Sequence, residues 1–95
     1  GFKVLPETVE RGILQHPAIA EVAVVAVPDS RLGQVPAALM RVKKNVAEPS
    51  ISELESDLRR HVLSTHIPVH WQFCERIPLN GSQKVDRQAV KQRFE

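Results

Sequence analysis

The chain has 95 residues, of which 42% are hydrophobic, and a formal net charge of +2. This length fits one small domain, residues 1–95, and is too short for a large enzyme. The sequence shows no apolar run that could span a membrane and no signal-peptide pattern, and its single cysteine, Cys74, excludes an internal disulfide. We therefore expect one domain in a reducing, cytoplasmic setting. Because the chain opens on Gly1 without methionine, we interpret it as a fragment of a longer protein or a processed product.

The first half of the chain predicts a short strand, a helix and two further strands. Residues 2–5 are β-prone, and Pro6 suits the first position of a helix. The continuous apolar run at residues 22–27 is typical of a central strand that is buried on both faces. Residues 37–43 alternate between two sets of side chains and predict a strand that pairs antiparallel with the strand at residues 22–27. Pro36 confines the start of this strand to an edge or an irregular entry.

The second half predicts two helices with a strand between them. Ser50 and Glu53 form a capping box before a helix, residues 69–77 alternate as a strand, and Asp86 is a strong N-cap for the terminal helix. The order of elements is β, α, β, β, α, β, α. It predicts an α+β fold with a small, about three-stranded antiparallel sheet, a short N-terminal strand and three helices packed against the sheet.

The sequence offers little support for a metal site or a nucleophile. Of the four histidines, His61 and His66 are five residues apart, which is not the one-face spacing of a helical zinc pair. Cys74 has no companion base that the sequence reveals, so we expect a packed thiol. We predict no metal ligands in this chain.

A basic nucleic-acid or anion-binding module is the alternative from another functional class. Basic residues cluster at 41–44 and again at 84–93, which would suit phosphates. However, the chain has one tryptophan, three phenylalanines and no tyrosine, and Trp71 and Phe73 are expected in the core. Stacking platforms for bases are therefore lacking, and we expect no nucleic-acid partner.

Lys84 stands between a turn-forming loop and a well-marked helix start. Asp86 caps that helix, and Val85 and Val90 have the spacing of a hydrophobic staple. An ammonium placed there is presented to an anion. The alternative is an ordinary solvated loop lysine.

Several stretches together resemble the C-terminal domain of the AMP-forming acyl-CoA synthetases. These enzymes belong to the adenylate-forming superfamily, which also contains luciferases and peptide-synthetase adenylation domains. "GFKVLPETVE" resembles the glycine-led strand and P-x-E-[VI]-E that open this domain, and "HPAIAEVAVVAVPDSRLGQ" resembles its H-P-x-V-x-[ED]-x-A-V-[VI]-G-x-P-D-x-x-x-G-[EQ] run. "IPLNGSQKVDRQAV" resembles its P-x-[NT]-x-[ST]-G-K-[IV]-D-R-x-x-[LV] run. The resemblance covers the whole chain.

This resemblance implies a mobile C-terminal domain of an ATP-dependent acid–thiol ligase, with fatty acid metabolism as one setting. The full enzyme would convert a carboxylic acid, ATP and CoA into acyl-CoA, AMP and pyrophosphate, with Mg²⁺ on the phosphates. The partner of this chain would be the larger N-terminal domain, and the isolated chain is expected to be inactive. An adenylation domain that loads a carrier protein remains the alternative within the superfamily.

The resemblance also implies roles for individual residues. Lys84 matches the lysine that binds the carboxylate and the α-phosphate region during adenylation. Gly1, Phe2 and Lys3 match the strand that lines the thiol tunnel after the domain rotates; otherwise Gly1 is a fragment end, Phe2 a core residue and Lys3 solvated. Gln83 departs from the family, which has glycine before the lysine. If the loop requires a positive φ there, glutamine adopts it at a cost.

Overall fold

The structure is a computed structural model that describes residues 5–95. The strand predicted at residues 2–5 lies, except for Leu5, outside the described residues. The remaining elements are confirmed in kind and order: helix α1 (Pro6–Ile13), strands β1 (Ile19–Asp29) and β2 (Gly33–Val42), helix α2 (Ile51–Leu58), a 3₁₀ turn (Ser64–His66), strand β3 (His70–Phe73) and helix α3 (Arg87–Gln92). The α+β class is therefore confirmed.

Strands β1 and β2 form an antiparallel ladder that is buried on both faces. Its register runs from Ile19 opposite Val42 to Asp29 opposite Gly33, with one irregularity near Glu21. Side chains alternate between two apolar clusters because successive residues of a strand point to opposite faces. One cluster, the α1/α2 face, contains Val9, Ile13, Ile19, Val24, Ala38, Met40, Leu54 and Leu58. The other, the α3 face, contains Ala23, Val25, Val27, Val35, Ala37, Leu39, Ile77 and Val90.

The order of strands in the sheet corrects two predictions. The order is β1-β2-β3, so β2 is the central strand and β1 lies at an edge. Moreover, β3 pairs with β2 in parallel, from Ala37 opposite His70 to Met40 opposite Phe73, and the sheet is mixed rather than antiparallel. The chain between β2 and β3 contains α2, and a helical crossover is the usual connection between parallel neighbours.

Pro36 lies in the central strand, which was not expected. Its carbonyl oxygen accepts from Val69 N at 2.9 Å, one residue before the first pair of the β2–β3 ladder. The N and C=O groups of a strand residue point to the same side, so the missing N–H of Pro36 also points toward the β3 side. That position precedes Ala37, where the β2–β3 ladder begins. The proline therefore removes no ladder hydrogen bond.

Two of the helix starts follow the predicted caps. Ser50 Oγ accepts from Glu53 N at 3.0 Å, and Asp86 Oδ1 accepts from Ala89 N at 3.1 Å. Glu53 does not complete a capping box, because its carboxylate pairs with the imidazole of His16, in the turn that follows α1. This pair ties α1 to the start of α2.

Gly12 permits close contact between α1 and the end of α2. A β-carbon at this position would lie 2.6 Å from Leu58 Cδ1 and 3.3 Å from His61 Cβ. Leu58 is fully buried, so its side chain has little room to move away. The glycine that weakens α1 as a helix former is thus required by packing.

We expect Gly12→Ala to destabilise the chain. Overpacking costs about 1–3 kcal/mol and the gain in helix propensity offsets about 1 kcal/mol, so a net loss of about 1 kcal/mol should appear in urea unfolding. Gly81→Ala is the control, since no atom lies within 4 Å of the added β-carbon. In a Leu58→Val background, which removes the clashing Cδ1, the cost should shrink. An equal cost in both backgrounds would contradict this explanation.

Candidate functional site

Lys84 lies on a short hydrogen-bonded hairpin, residues 78–86, which we call the lysine hairpin. Asn80 N donates to Lys84 O at 2.7 Å, and Asp86 N donates to Pro78 O at 2.9 Å. Leu79 and Val85 form an antiparallel bridge between these two bonds. The exposed loop predicted from the sequence is therefore an ordered hairpin that leads directly into α3.

The side chain of Asn80 holds the tip of the lysine hairpin. Its Oδ1 accepts from Ser82 N at 2.8 Å and from Lys84 N at 3.2 Å, while Asn80 O accepts from Gln83 N at 3.0 Å. A side-chain oxygen that binds backbone amides two and four residues ahead replaces the hydrogen bonds of a regular turn. The backbone of Lys84 is thus bonded on both sides, through its N–H and its carbonyl.

Gln83 adopts the backbone conformation that glycine favours. Its φ is 63°, in the left-handed region, although its side chain carries a β-carbon. For an L-residue this region costs about 1–2 kcal/mol. The hairpin therefore has a positive φ directly before the lysine, although glutamine stands there instead of glycine.

The ammonium of Lys84 is available to a ligand. Lys84 is exposed, and within residues 5–95 its side chain has no hydrogen-bond or ion-pair partner. The next two residues hold the backbone beside Lys84: Val85 packs against the α3-face cluster, and Asp86 caps α3. The arrangement presents a flexible cation on an ordered support, which suits binding of a phosphate or carboxylate that comes from outside this domain.

Hydrogen bonds between side chains and backbone connect α1, β1 and α3, and they were not predicted from the sequence. Arg87 Nη1 donates to Glu10 Oε2 at 3.2 Å and to Val24 O at 2.9 Å, and Val24 N donates to Glu10 Oε2 at 2.8 Å. Glu10 and Arg87 both occur within the motifs quoted above, "PETVE" and "KVDR". Because 77 positions separate them, no local spacing rule pairs them.

The other residues considered from the sequence add nothing to this site. Gly1, Phe2 and Lys3 lie outside the described residues. Trp71 and Phe73 pack against the α1/α2 face, as predicted. Within residues 5–95, no three His, Cys, Asp or Glu side chains come together as a metal-ligand group. No helix in the same range has the length and apolar character needed to cross a membrane.

Comparison with known proteins identifies the family. The model of the AMP-binding enzyme C-terminal domain matches residues 8–84, a segment that ends at the candidate lysine. The chain belongs to this family. The resemblance inferred from the motifs is thereby confirmed, and the family's matched segment ends within the lysine hairpin, at Lys84.

Relatives of this C-terminal domain include several acid–CoA ligases. The medium/long-chain-fatty-acid–CoA ligase FadD8 of Mycobacterium tuberculosis is 34% identical across 99% of this chain. The acetyl-coenzyme A synthetase of Pyrobaculum aerophilum is 40% identical across 96% of it. The chain spans only 18% and 14% of these two relatives.

Among solved structures, the amide bond synthetase McbA of Marinactinospora thermotolerans superposes on this domain with a TM-score of 0.92 at 30% identity, and the match covers 98% of this chain and 19% of that one. A fatty acyl CoA synthetase of Mycobacterium tuberculosis gives a TM-score of 0.88 at 26% identity over 99% of this chain and 18% of its own. The fold of this family is thus present in full.

We expect Gln83→Gly to stabilise the domain by about 1 kcal/mol, because glycine adopts a positive φ without a β-carbon clash. Urea unfolding with an unchanged m-value would measure this gain. Gln83→Ala, which keeps the β-carbon and removes only the amide, is the matched control and should change stability by less than about 0.5 kcal/mol. A destabilising Gln83→Gly would show that the positive φ carries no strain.

We expect Cys74 to react slowly with thiol reagents in the folded domain. Burial raises the pKa of the Cys74 thiol, so at about pH 8 less of it is thiolate than in the unfolded chain. The rate of modification should rise on unfolding in urea, and the pH at which the rate rises should be higher for the folded chain. Equal rates and equal pH profiles in both states would contradict a packed thiol.

Proposed function

We propose that this chain acts as the mobile C-terminal domain of an ATP-dependent, AMP-forming acid–thiol ligase. The observation that carries the proposal is the exposed Lys84 on its ordered hairpin, and the motif resemblance matches Lys84 to the family's adenylation lysine. The CoA ligases among the relatives support it by name. An N-terminal domain, absent from this sequence, would hold the acid and the nucleotide.

In the first half-reaction, a carboxylate oxygen of the acid attacks the α-phosphorus of ATP, and pyrophosphate leaves. Negative charge concentrates around the α-phosphate as this bond forms. The ammonium of Lys84 would bind the carboxylate and the α-phosphate oxygens and stabilise that charge, which is where a preorganised cation contributes most. A long stem lets the ammonium reach across the gap between two domains.

In the second half-reaction, the thiol attacks the acyl carbon, and AMP leaves with the bonding electron pair. We propose that the domain rotates between the two steps, so that Lys84 withdraws and Gly1, Phe2 and Lys3 line the path of the thiol. Gly1 would let a pantetheine arm pass close to the backbone, and Lys3 would meet a phosphate of AMP or CoA.

ATP and CoA are the nucleotide and the acceptor in this proposal. Within residues 5–95 no three His, Cys, Asp or Glu side chains come together, and in this proposal the N-terminal domain and the phosphates of ATP hold Mg²⁺. The acceptor has an alternative. Since a structural relative is an amide bond synthetase, an amine could replace CoA in this protein, as could a carrier-protein thiol.

A nucleic-acid role has less support. Trp71 and Phe73 pack into the α1/α2 face, and Trp71 Nε1 donates to Pro68 O at 2.9 Å. Both rings are partly buried in this packing, which leaves less of each ring for stacking on a base.

We expect Lys84→Ala in the full-length enzyme to slow acyl-adenylate formation by about 10²–10³-fold, the usual cost of losing a charge contact made in the transition state. Thioester formation from synthetic acyl-AMP should remain largely intact, because the domain would turn Lys84 away for that step. Pyrophosphate release and thioester formation measure the two steps separately.

Lys44→Ala is the control for this experiment. It removes the same charge from an exposed position in the loop after β2, and it should leave both rates unchanged. If Lys84→Ala slowed both half-reactions equally, or neither of them, Lys84 would be an ordinary solvated lysine.

A further inference from the structure

The outer edge of β1 is closed at Val24 by two charged side chains instead of a neighbouring strand. Glu10 accepts from Val24 N and Arg87 donates to Val24 O, at 2.8 and 2.9 Å, and the two side chains also bond to each other. Edge strands leave such backbone groups unpaired unless something covers them. Carboxylate and guanidinium together complete the hydrogen bonds of this residue.

This three-way contact lies close to the lysine hairpin in both sequence and structure. Arg87 is the first residue of α3 and directly follows Asp86, whose N–H closes the hairpin on Pro78. Lys84 is three residues before Arg87. A shift of the guanidinium would therefore be passed to the hairpin through very few rotatable backbone bonds.

Within α3 itself, few side chains are buried. The helix has six residues, and Val90 is its only fully buried one. Val90 fixes the depth of this short helix, while Val85 and Phe94, just beyond its two ends, are only partly buried against the same cluster. The Arg87 contact supplies a second attachment point almost a full turn away, and two points define the direction of the helix.

Glu10 is the protected partner of this contact. The side chain of Glu10 is 15% exposed and that of Arg87 is 44% exposed. The carboxylate Oε2 receives the amide of Val24 as well as Arg87, so its position is fixed from two directions. Charge-assisted hydrogen bonds of this kind restrict geometry more strongly than a solvent-exposed ion pair does.

We propose that Glu10 and Arg87 are positioning residues: their joint contact with Val24 sets the direction in which the lysine hairpin presents Lys84. This inference rests on the proposed adenylation role of Lys84. Neither residue needs to touch substrate, because both act through the placement of the lysine.

The test uses the full-length enzyme with Arg87→Met, Glu10→Gln, Lys84→Ala and the Lys84→Ala/Arg87→Met double variant. Methionine keeps much of the arginine stem and removes the guanidinium. Pyrophosphate release should fall by about 10- to 100-fold for Arg87→Met, since small misplacements of catalytic groups have effects of this size. Thioester formation from synthetic acyl-AMP should change by less than about two-fold.

The double variant separates positioning from simple stabilisation. If Arg87 acts through Lys84, then Lys84→Ala/Arg87→Met should be no slower in adenylation than Lys84→Ala alone. Arg41→Met is the matched control, because it removes an arginine that pairs with Glu21 of β1 at 2.6 Å. It should leave the ratio of the two half-reactions unchanged.

Several outcomes would overturn the inference. One is an equal reduction of both half-reactions by Arg87→Met, which would indicate loss of folded enzyme, and another is an effect that adds fully to that of Lys84→Ala. If Arg87→Met does not fold, Glu10→Gln takes its place in the test. An equal reduction of both half-reactions by Glu10→Gln, or an effect that adds fully to that of Lys84→Ala, would then overturn the proposal. A normal adenylation rate for Lys84→Ala would overturn the function proposed for the lysine and this inference with it. A slow Lys84→Ala beside an unaffected Arg87→Met would overturn this inference alone.

Discussion

The antiparallel ladder between β1 and β2 is the constraint on which the rest of this domain depends. It carries the apolar residues of both clusters on its two faces, so every helix finds its packing surface on the same pair of strands. Helices α1 and α2 cover one face, and α3 with Ile77 covers the other. An isolated hairpin is only marginally stable in water, so the ladder and its covering helices stabilise each other. The position of the lysine hairpin follows from this, since α3 is held on the second face.

The sequence predicted the faces of the sheet better than its edges. The apolar run in β1 correctly indicated burial on both sides, and the alternation in β2 correctly divided its side chains between two clusters. Burial of faces, however, says nothing about which strand has a neighbour on each side. The apolar run was therefore taken for a central strand, although it lies at an edge where Glu10 and Arg87 complete its hydrogen bonds. The parallel direction of β3 depends on a long-range crossover that no local pattern encodes.

The candidate site divides in the same way. The cap at Asp86, the burial of Val85 and Val90, and the exposed lysine before them are local features, and all were predicted from short-range rules. The contacts that hold the hairpin in place were not, because Glu10 and Arg87 meet only after the sheet has formed. The ordered state of the hairpin also escaped prediction, since turn-forming residues such as Asn80 and Gly81 indicate a turn without indicating how many hydrogen bonds close it. Local sequence thus predicts the exposed lysine, whereas the contacts that hold the lysine hairpin appear only in the tertiary structure.

The left-handed conformation of Gln83 has a consequence for how members of this family are compared. The family's motif has glycine before the lysine. In this loop the residue is glutamine, but its φ angle is one that glycine favours. Asn80 supplies enough hydrogen bonds to hold that angle when the side chain opposes it. A pattern that demands glycine at this position would therefore miss this chain, although its backbone has the angle that glycine adopts without a clash. In this loop the hydrogen bonds of Asn80 decide the path of the main chain, and a residue other than glycine follows that path at a cost in conformational energy.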